Sequence, residues 1–329
     1  MIAIHPTINI APWGVFVCTV VIWKFPTKLT ASTHNRSRQA TPMRPQTFGD
    51  VTIHRILEIE GPFTRPDAVF PNATPKALEP DMHWLINHAI CADTGKLILP
   101  IQSYVVQTPD HTILIDTCVG CGKTDDFPDW NNRDDDTWLR NLRAAGFAVE
   151  DIDFVFCTHL HSDHTGWNTR LLDGRWVPTF PNAKYILSRV EVANAEAKGS
   201  NTYKQNVAPI LEAGQAQLVE TDFALNDMIH LSPTPGHTAG HVCVHIHSNG
   251  HHGVMIGDAM HSPIQLAHPD WSMIFDDDME LAAKTRQSLL DSLCETKTMV
   301  FTAHLPSPSA GRVTAHPDRP FDFKYVEKD

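Results

Sequence analysis

The densest concentration of chemistry in this 329-residue chain is the segment Phe156-Cys-Thr-His159-Leu-His161-Ser-Asp163-His164-Thr-Gly166. Side chains in an extended stretch alternate with a period of two, so His159 and His161 point to the same side and form half of a zinc site. Asp163 and His164 follow one turn on, adjacent, where they can face a second ion beside the first. Imidazole nitrogen and carboxylate oxygen are ligands that suit Zn²⁺. The chain carries 20 His, and scattered core histidines are a poor account of four ligand-type residues within six positions.

The elements around this segment must place it. An apolar run precedes it and a glycine closes it, so it sits where a strand ends and the chain turns toward a helix. Val51–Leu57, Leu97–Val106, Thr112–Ile115, Phe154–Cys157 and Tyr185–Leu187 read as strands, with Thr108-Pro109-Asp110 as a turn. His241–His247 and Gly253–Ile256 flank Ser248-Asn249-Gly250, a strong hairpin signal. Met299–Thr302 reads as a last strand. Trp138, Leu139, Leu142 and Ala145 share a helix face closed by Gly146. Val190–Ala197, Lys204–Ala213 and the set Ala282, Leu289, Leu290 and Leu293 also have helical spacing. Residues 60–90 are Pro-rich and irregular, long enough for a functional flap. The pattern is a single layered α/β domain spanning residues 43–329.

Residues 1–42 stand apart. They hold four basic side chains and no acidic one, against −12 for the whole chain, so the remainder carries −16. Their apolar run, residues 8–23, falls short of the ~20 residues of a membrane span. Three readings fit this leader: an export signal or anchor, a start placed too early with Met43 the first residue, or a packed arm. The expected location is cytoplasmic, or exported and periplasmic if residues 1–32 are a signal. Membrane association is expected only if residues 8–23 anchor the chain. The seven Cys are scattered and suit reduced thiols, and Cys118-Val-Gly-Cys121 reads as an incidental pair. The acidic balance and lack of a basic stripe argue against a nucleic-acid partner.

Further along stand Thr234-Pro-Gly-His237-Thr-Ala-Gly-His241, Ile256-Gly-Asp258-Ala, Thr302-Ala-His304-Leu-Pro306 and the earlier Ile113-Leu-Ile-Asp116-Thr. With these the chain resembles the metallo-β-lactamase-fold hydrolase superfamily from about Val51 to Val313, nearest its methyl parathion hydrolase and acyl-homoserine lactonase branch. The resemblance implies a four-layer αββα sandwich with the metals at one edge. It assigns one Zn²⁺ to His159, His161 and His237 and the other to Asp163, His164 and His304. Asp258 and a hydroxide would bridge them, giving two Zn²⁺ per chain, and Asp116 would support the metal loop. Where iron-holding relatives commonly carry Glu, this chain has His161, which favours zinc and hydrolysis. Several β-lactamase branches have no Asp at the bridging position, so Asp258 points away from β-lactams. Three residues after that Asp the lactonases carry a Tyr that polarises the substrate carbonyl. Here His261 stands instead, which moves the expectation toward aryl or alkyl esters and phosphotriesters.

The expected activity is therefore hydrolysis of an ester, lactone or phosphotriester bond in a small, largely uncharged substrate. Asp163 would orient the hydroxide and His261 would donate to the developing oxyanion. Trp167, Trp271 and Phe275 are expected to wall an apolar pocket, and Asp276-Asp277-Asp278 to cap the helix beginning near Met279. The competing readings are a nuclease of the same fold and a non-catalytic metal-binding module. Relatives of this kind commonly form homodimers. His245, His247, His251 and His252 gather at the hairpin, and His230 has no spacing partner.

Overall fold

Apolar side chains on both faces mark the strands of the first sheet. The computed structural model describes residues 43–125 and 127–327, and the leader expectation falls outside the described residues. The chain enters as β1 (Gln46–Phe48), β2 (Val51–Pro62), β3 (Ile98–Gln107), β4 (Thr112–Ile115) and β5 (Phe154–Phe156). A separate hairpin, β6 (Thr169–Leu172) and β7 (Arg175–Pro178), precedes β8 (Lys184–Ser188) and β9 (Ala216–Val219). The sheet order is β1-β2-β3-β4-β5-β8-β9. It is antiparallel as far as β4 and parallel from β4 to β9. A second sheet runs in sequence order through β10 (Ile229–Pro233), β11 (Val242–Ser248), β12 (His251–Met255), β13 (Met299–Phe301), β14 (Ala310–His316) and β15 (Arg319–Tyr325). Its β12–β13 pair is parallel and the others antiparallel.

The period-two alternation sorts these side chains into layers. Tyr104, Val106, Ile113, Ile115, Phe156 and Ile186 of the first sheet meet Ile229, Leu231, Val244, Ile246, Met255 and Phe301 of the second. Their alternates Leu99, Ile101, Val105, Leu114, Val155, Tyr185 and Leu187 face outward into Trp138 and Leu142 of the helix Thr137–Ala144, and into Val192, Val207 and Ile210. On the far side Cys243, Val254 and Val300 pack under Leu290 and Leu293 of the helix Met279–Leu293. Helices therefore cover both outer faces, and the fold is the four-layer αββα sandwich. Each Ile, Leu or Val so enclosed contributes about 1.5–3 kcal/mol before entropy is charged against it.

Two local features differ from the sequence expectation. Residues 60–90 do not form a loose flap. Short helices at Pro66–Val69, Pro75–Leu78 and Met82–Leu85 pack Val69, Phe70, Leu78 and Leu85 onto Ile264, Trp271 and Met273. The acidic run before the last helix is divided, since only Asp278 caps, its side chain accepting from the Leu281 N–H at 2.9 Å. The hairpin turn is as expected, with Asn249 and Gly250 both at positive φ (49° and 76°), as a two-residue turn of the primed type requires. Among the described residues no helix is long and apolar enough to cross a membrane.

Candidate metal centre and active-site pocket

Five strand ends converge on one edge of the sandwich. Asp116 follows β4, the segment His159–His164 follows β5, and His237, Asp258 and His304 follow β10, β12 and β13. The carboxyl ends of parallel strands are where this architecture leaves polar side chains free of the ladder. Two glycines allow the loops to close on one another. A Cβ on Gly166 would lie 1.8 Å from the Val119 carbonyl oxygen. Gly257, at φ +47°, would push one to 2.6 Å from His241 Nε2.

The expected ligand positions come together as two groups. His159, His161, His237 and Asp258 offer ligand atoms within 4.8 Å of one another, and so do Asp163, His164 and His304. Asp258 turns one oxygen to each group. Its Oδ2 lies 3.3 Å from His237 Nε2 and 3.7 Å from His159 Nε2. Its Oδ1 lies 3.0 Å from His164 Nε2 and 3.1 Å from His304 Nε2. Asp163 Oδ2 stands 3.5 Å from His304 Nε2 and 3.7 Å from His164 Nε2.

Most of these imidazoles are gripped by the nitrogen they do not turn inward. Nδ1 of His164 donates to Asp116 Oδ2 at 2.9 Å, that of His237 to Asp276 Oδ1 at 2.8 Å, and that of His304 to the Pro100 carbonyl at 2.9 Å. Asp116 also accepts from the Thr158 N–H at 2.8 Å and the Thr158 hydroxyl at 2.9 Å, tying the ligand loop to β4. Such outer partners fix tautomer and ring orientation.

The donor set fits divalent zinc on three observations. First, His159 Nε2 and Asp258 Oδ1 are buried without a hydrogen-bond partner, a costly arrangement that a cation would relieve. Second, ring nitrogens meet at 3.0 Å between His237 and His161 and at 3.3 Å between His304 and His164, close to the spacing of two ligands on one ion. Third, burial drives His159 and His161 well below the ordinary histidine range, leaving their lone pairs free at neutral pH. Burial pushes the Asp258 carboxyl up, but His164, His304, His261 and His159 outweigh it and hold it well below the carboxylate range.

A cavity of about 280 Å³ opens on both groups. Its apolar wall is Phe63, Phe127, Trp130 and Phe275: Phe63 stacks on Trp130 at 5.8 Å, and Phe127 touches Trp130 at 4.5 Å and Phe275 at 5.5 Å. Phe275 was expected there. Trp167 is instead core, stacked on Trp138 at 5.7 Å and donating its indole N–H to Glu58. Trp271 packs among the residue 60–90 helices and stacks on His268. Phe63, Phe127 and Trp130 escaped the sequence reading because they arrive from two separate segments without a period. His261 lines the cavity with its Nε2 3.1 Å from Asp258 Oδ2, while its Nδ1 is buried without a partner. Cys118 and Cys121 are free thiols.

A sandwich with His and Asp clustered at one sheet edge is the arrangement of the metallo-β-lactamase fold. The family model described as the metallo-beta-lactamase superfamily matches residues 98–304, and the chain belongs to that superfamily. An N-acyl homoserine lactonase of Bacillus sp. is 25% identical over 223 residues, covering 64% of this chain and 83% of the relative. Another from Bacillus thuringiensis is 24% identical over 235 residues, covering 68% and 87%. Among solved structures, the hydrolase AbOPH superposes with a TM-score of 0.74 at 22% identity, covering 89% of this chain and all of that one. The dizinc quorum-quenching lactonase AidC, in complex with an N-acyl homoserine product, gives 0.68 at 22% identity, covering 87% and 98%.

Proposed function

We propose that the chain is a dinuclear zinc hydrolase that cleaves an ester, lactone or phosphotriester bond in a small, largely uncharged substrate. The observation that carries this reading is Asp258, whose two oxygens each face a separate group of ligand-type residues. His159, His161 and His237 would hold one Zn²⁺, Asp163, His164 and His304 the other, and Asp258 both. Bound zinc would supply a hydroxide nucleophile at neutral pH and a Lewis acid for the carbonyl or phosphoryl oxygen.

The chain's own residues do the rest. Asp163 borders the cavity, which supports a role for its carboxylate in orienting the attacking water. His261 lines the cavity with Nε2 held by Asp258, which supports its role as donor to the oxygen that gains charge. The wall of Phe63, Phe127, Trp130 and Phe275 receives the acyl or leaving group and keeps water from it. Lys198, the one Lys or Arg among the described lining residues, is tied to Asp277 at 3.1 Å, so the cavity offers little to a polyanion and the nuclease reading loses support. A non-catalytic module would have no use for an aromatic-walled cavity over the ligand-type residues. The curated lactonase relatives keep lactones in the substrate class.

The test is metal analysis with a panel of p-nitrophenyl esters, homoserine lactones, a paraoxon-type triester and a cephalosporin. Wild type should hold about two zinc and turn over the uncharged esters, lactones or triesters. Asp258→Ala should abolish turnover, and undiminished hydrolysis by that variant would sink the dinuclear assignment. His261→Phe should lower kcat, and an unchanged kcat would remove His261 from the mechanism.

A further inference from the structure

A second histidine cluster lies away from the proposed centre, on the outer face of the second sheet. Ile229, Leu231, Val244 and Ile246 point into the inter-sheet core, so alternation turns His230, His245 and His247 to the opposite face. Register completes the group: His230 opposes His245 across β10–β11, and His247 opposes His252 across β11–β12. The rings form a two-by-two block. His230 stacks on His245 at 4.7 Å and 7°, and His247 on His252 at 4.3 Å and 7°. His230 also lies near-parallel to His247 at 5.1 Å and 7°, and His245 to His252 at 5.2 Å and 19°.

The His245–His252 pair repeats the signature of the dinuclear groups. Its nitrogens meet at 2.9 Å, Nδ1 to Nε2, against 3.0 Å and 3.3 Å for the two pairs there. The far nitrogens are again held from outside, His245 Nε2 by the Ser232 hydroxyl at 2.7 Å and His252 Nδ1 by the Thr298 hydroxyl at 3.1 Å. Beside the block is a cleft of about 370 Å³ lined by His247, His251, His252, Asp50 and Asp227, so His252 is reached from solvent.

From this geometry we infer that the pair His245 and His252 forms a further, two-histidine binding site for a borderline divalent ion such as Zn²⁺, Ni²⁺ or Cu²⁺, with water completing its coordination. Two nitrogens on one tetrahedral ion at ~2.05 Å stand roughly 3.3 Å apart, so the gap need widen by only about 0.4 Å. The ion takes the place of the proton shared between the rings. Both nitrogens then donate lone pairs to the metal, and the shared proton moves to the far nitrogen of the ring that carried it, which turns to donate to its Ser232 or Thr298 hydroxyl, so each imidazole stays neutral. Imidazole ligands select against Mg²⁺ and Ca²⁺, which want oxygen.

The experiment counts ions as a difference between variants, so it does not depend on how many the active centre holds. Zinc-loaded wild type, His252→Asn and His245→Gln are dialysed to equilibrium against free Zn²⁺, with ester turnover as the check that each variant is folded. Wild type should bind one equivalent more than either variant while turnover stays equal. Cu²⁺ added to zinc-loaded wild type should show an electron paramagnetic signal split by two or more imidazole nitrogens. Equal stoichiometry in wild type and both variants overturns the site. So does a copper signal without nitrogen splitting, which decides the matter even if a variant fails to fold.

Discussion

Asp116 gives the sharpest test of how the ligands are held. Its carboxylate accepts from the Thr158 N–H, the Thr158 hydroxyl and His164 Nδ1–H. Asp116→Ala leaves the Thr158 amide, the Thr158 hydroxyl and the His164 N–H buried without acceptors, since His159 Nδ1–H at 3.2 Å can only donate to that hydroxyl. Three orphaned donors at about 1–3 kcal/mol each give a loss of roughly 3–9 kcal/mol, or about 6–30 °C of melting temperature for a domain of this size. Asp116→Asn separates stability from metal binding. Its carbonyl can still serve the Thr158 amide, but its NH₂ must face His164 Nδ1, which then accepts. The proton moves to His164 Nε2, the nitrogen turned toward Asp258 and His304, and that nitrogen can no longer ligate. Thermal unfolding with and without chelator, paired with zinc competition, reads both effects. Asp116→Asn should melt well above Asp116→Ala yet hold zinc ~10–100-fold more weakly than wild type. Wild-type zinc affinity in Asp116→Asn would refute the argument that the outer carboxylate sets the His164 tautomer.

Three further outcomes follow from the structure. Trp130→Ala removes the ring between Phe63 and Phe127 and should raise KM for p-nitrophenyl esters ~10-fold, worth about 1.4 kcal/mol, with kcat less affected; an unchanged KM would place the substrate elsewhere. Arg286 is buried and donates to the carbonyls of Ala259, Pro269 and Trp271. Arg286→Met should cost about 2–4 kcal/mol in urea unfolding. It should also lower kcat, because Trp271 O holds Gln265, whose Oε1 accepts from the His261 N–H. Burial lowers the Lys123 amine to about 6. The unfolded chain therefore binds the extra proton between that value and the ordinary lysine range, and stability should rise with pH across this window by up to about 1.4 kcal/mol per unit. In Lys123→Met that slope should disappear, as read by urea titrations at pH 6.5, 8 and 9.5.

Much of the fold was legible because the core strands carry uninterrupted or alternating apolar runs, as in Thr112–Ile115 and Phe154–Phe156. The candidate ligand segment His159–His164 was legible as a cluster because its residues are neighbours in sequence. Where position depends on packing between distant segments, the signal thins. β14 and β15 escaped because Ala310–His316 and Arg319–Tyr325 mix charged and apolar residues at a sheet edge. The pocket wall joins Phe63 from the end of β2 to Phe127 and Trp130 from the loop after β4. The acidic triplet looked uniform, yet Asp276 holds His237, Asp277 pairs with Lys198 and only Asp278 caps. His230 lacked a partner in sequence because its partner is set by register across β10–β11.

The same contacts explain why a costly polar cluster persists in the buried edge of the sandwich. Glu191, itself buried, accepts from the Leu160 N–H at 3.1 Å and the Gly240 N–H at 2.7 Å, and so links the loop of His159 and His161 to the turn of His237. From that turn His241 Nε2 accepts the Asp258 N–H at 3.0 Å, while its Nδ1 donates to the Thr234 hydroxyl at 2.8 Å. Burial holds His241 at about 3, so it stays neutral and keeps the accepting nitrogen bare. These braces fix the inward nitrogens and the Asp258 oxygens before any ion arrives, and what they cannot do is satisfy them. Each orphan left inside costs about 1–3 kcal/mol, a deficit that the fold carries and that a bound cation reverses. A cluster built in this way would bind a cation tightly, because its reorganisation has already been met in folding. By the same reasoning, stripping the metal should destabilise this edge before it disturbs the inter-sheet core.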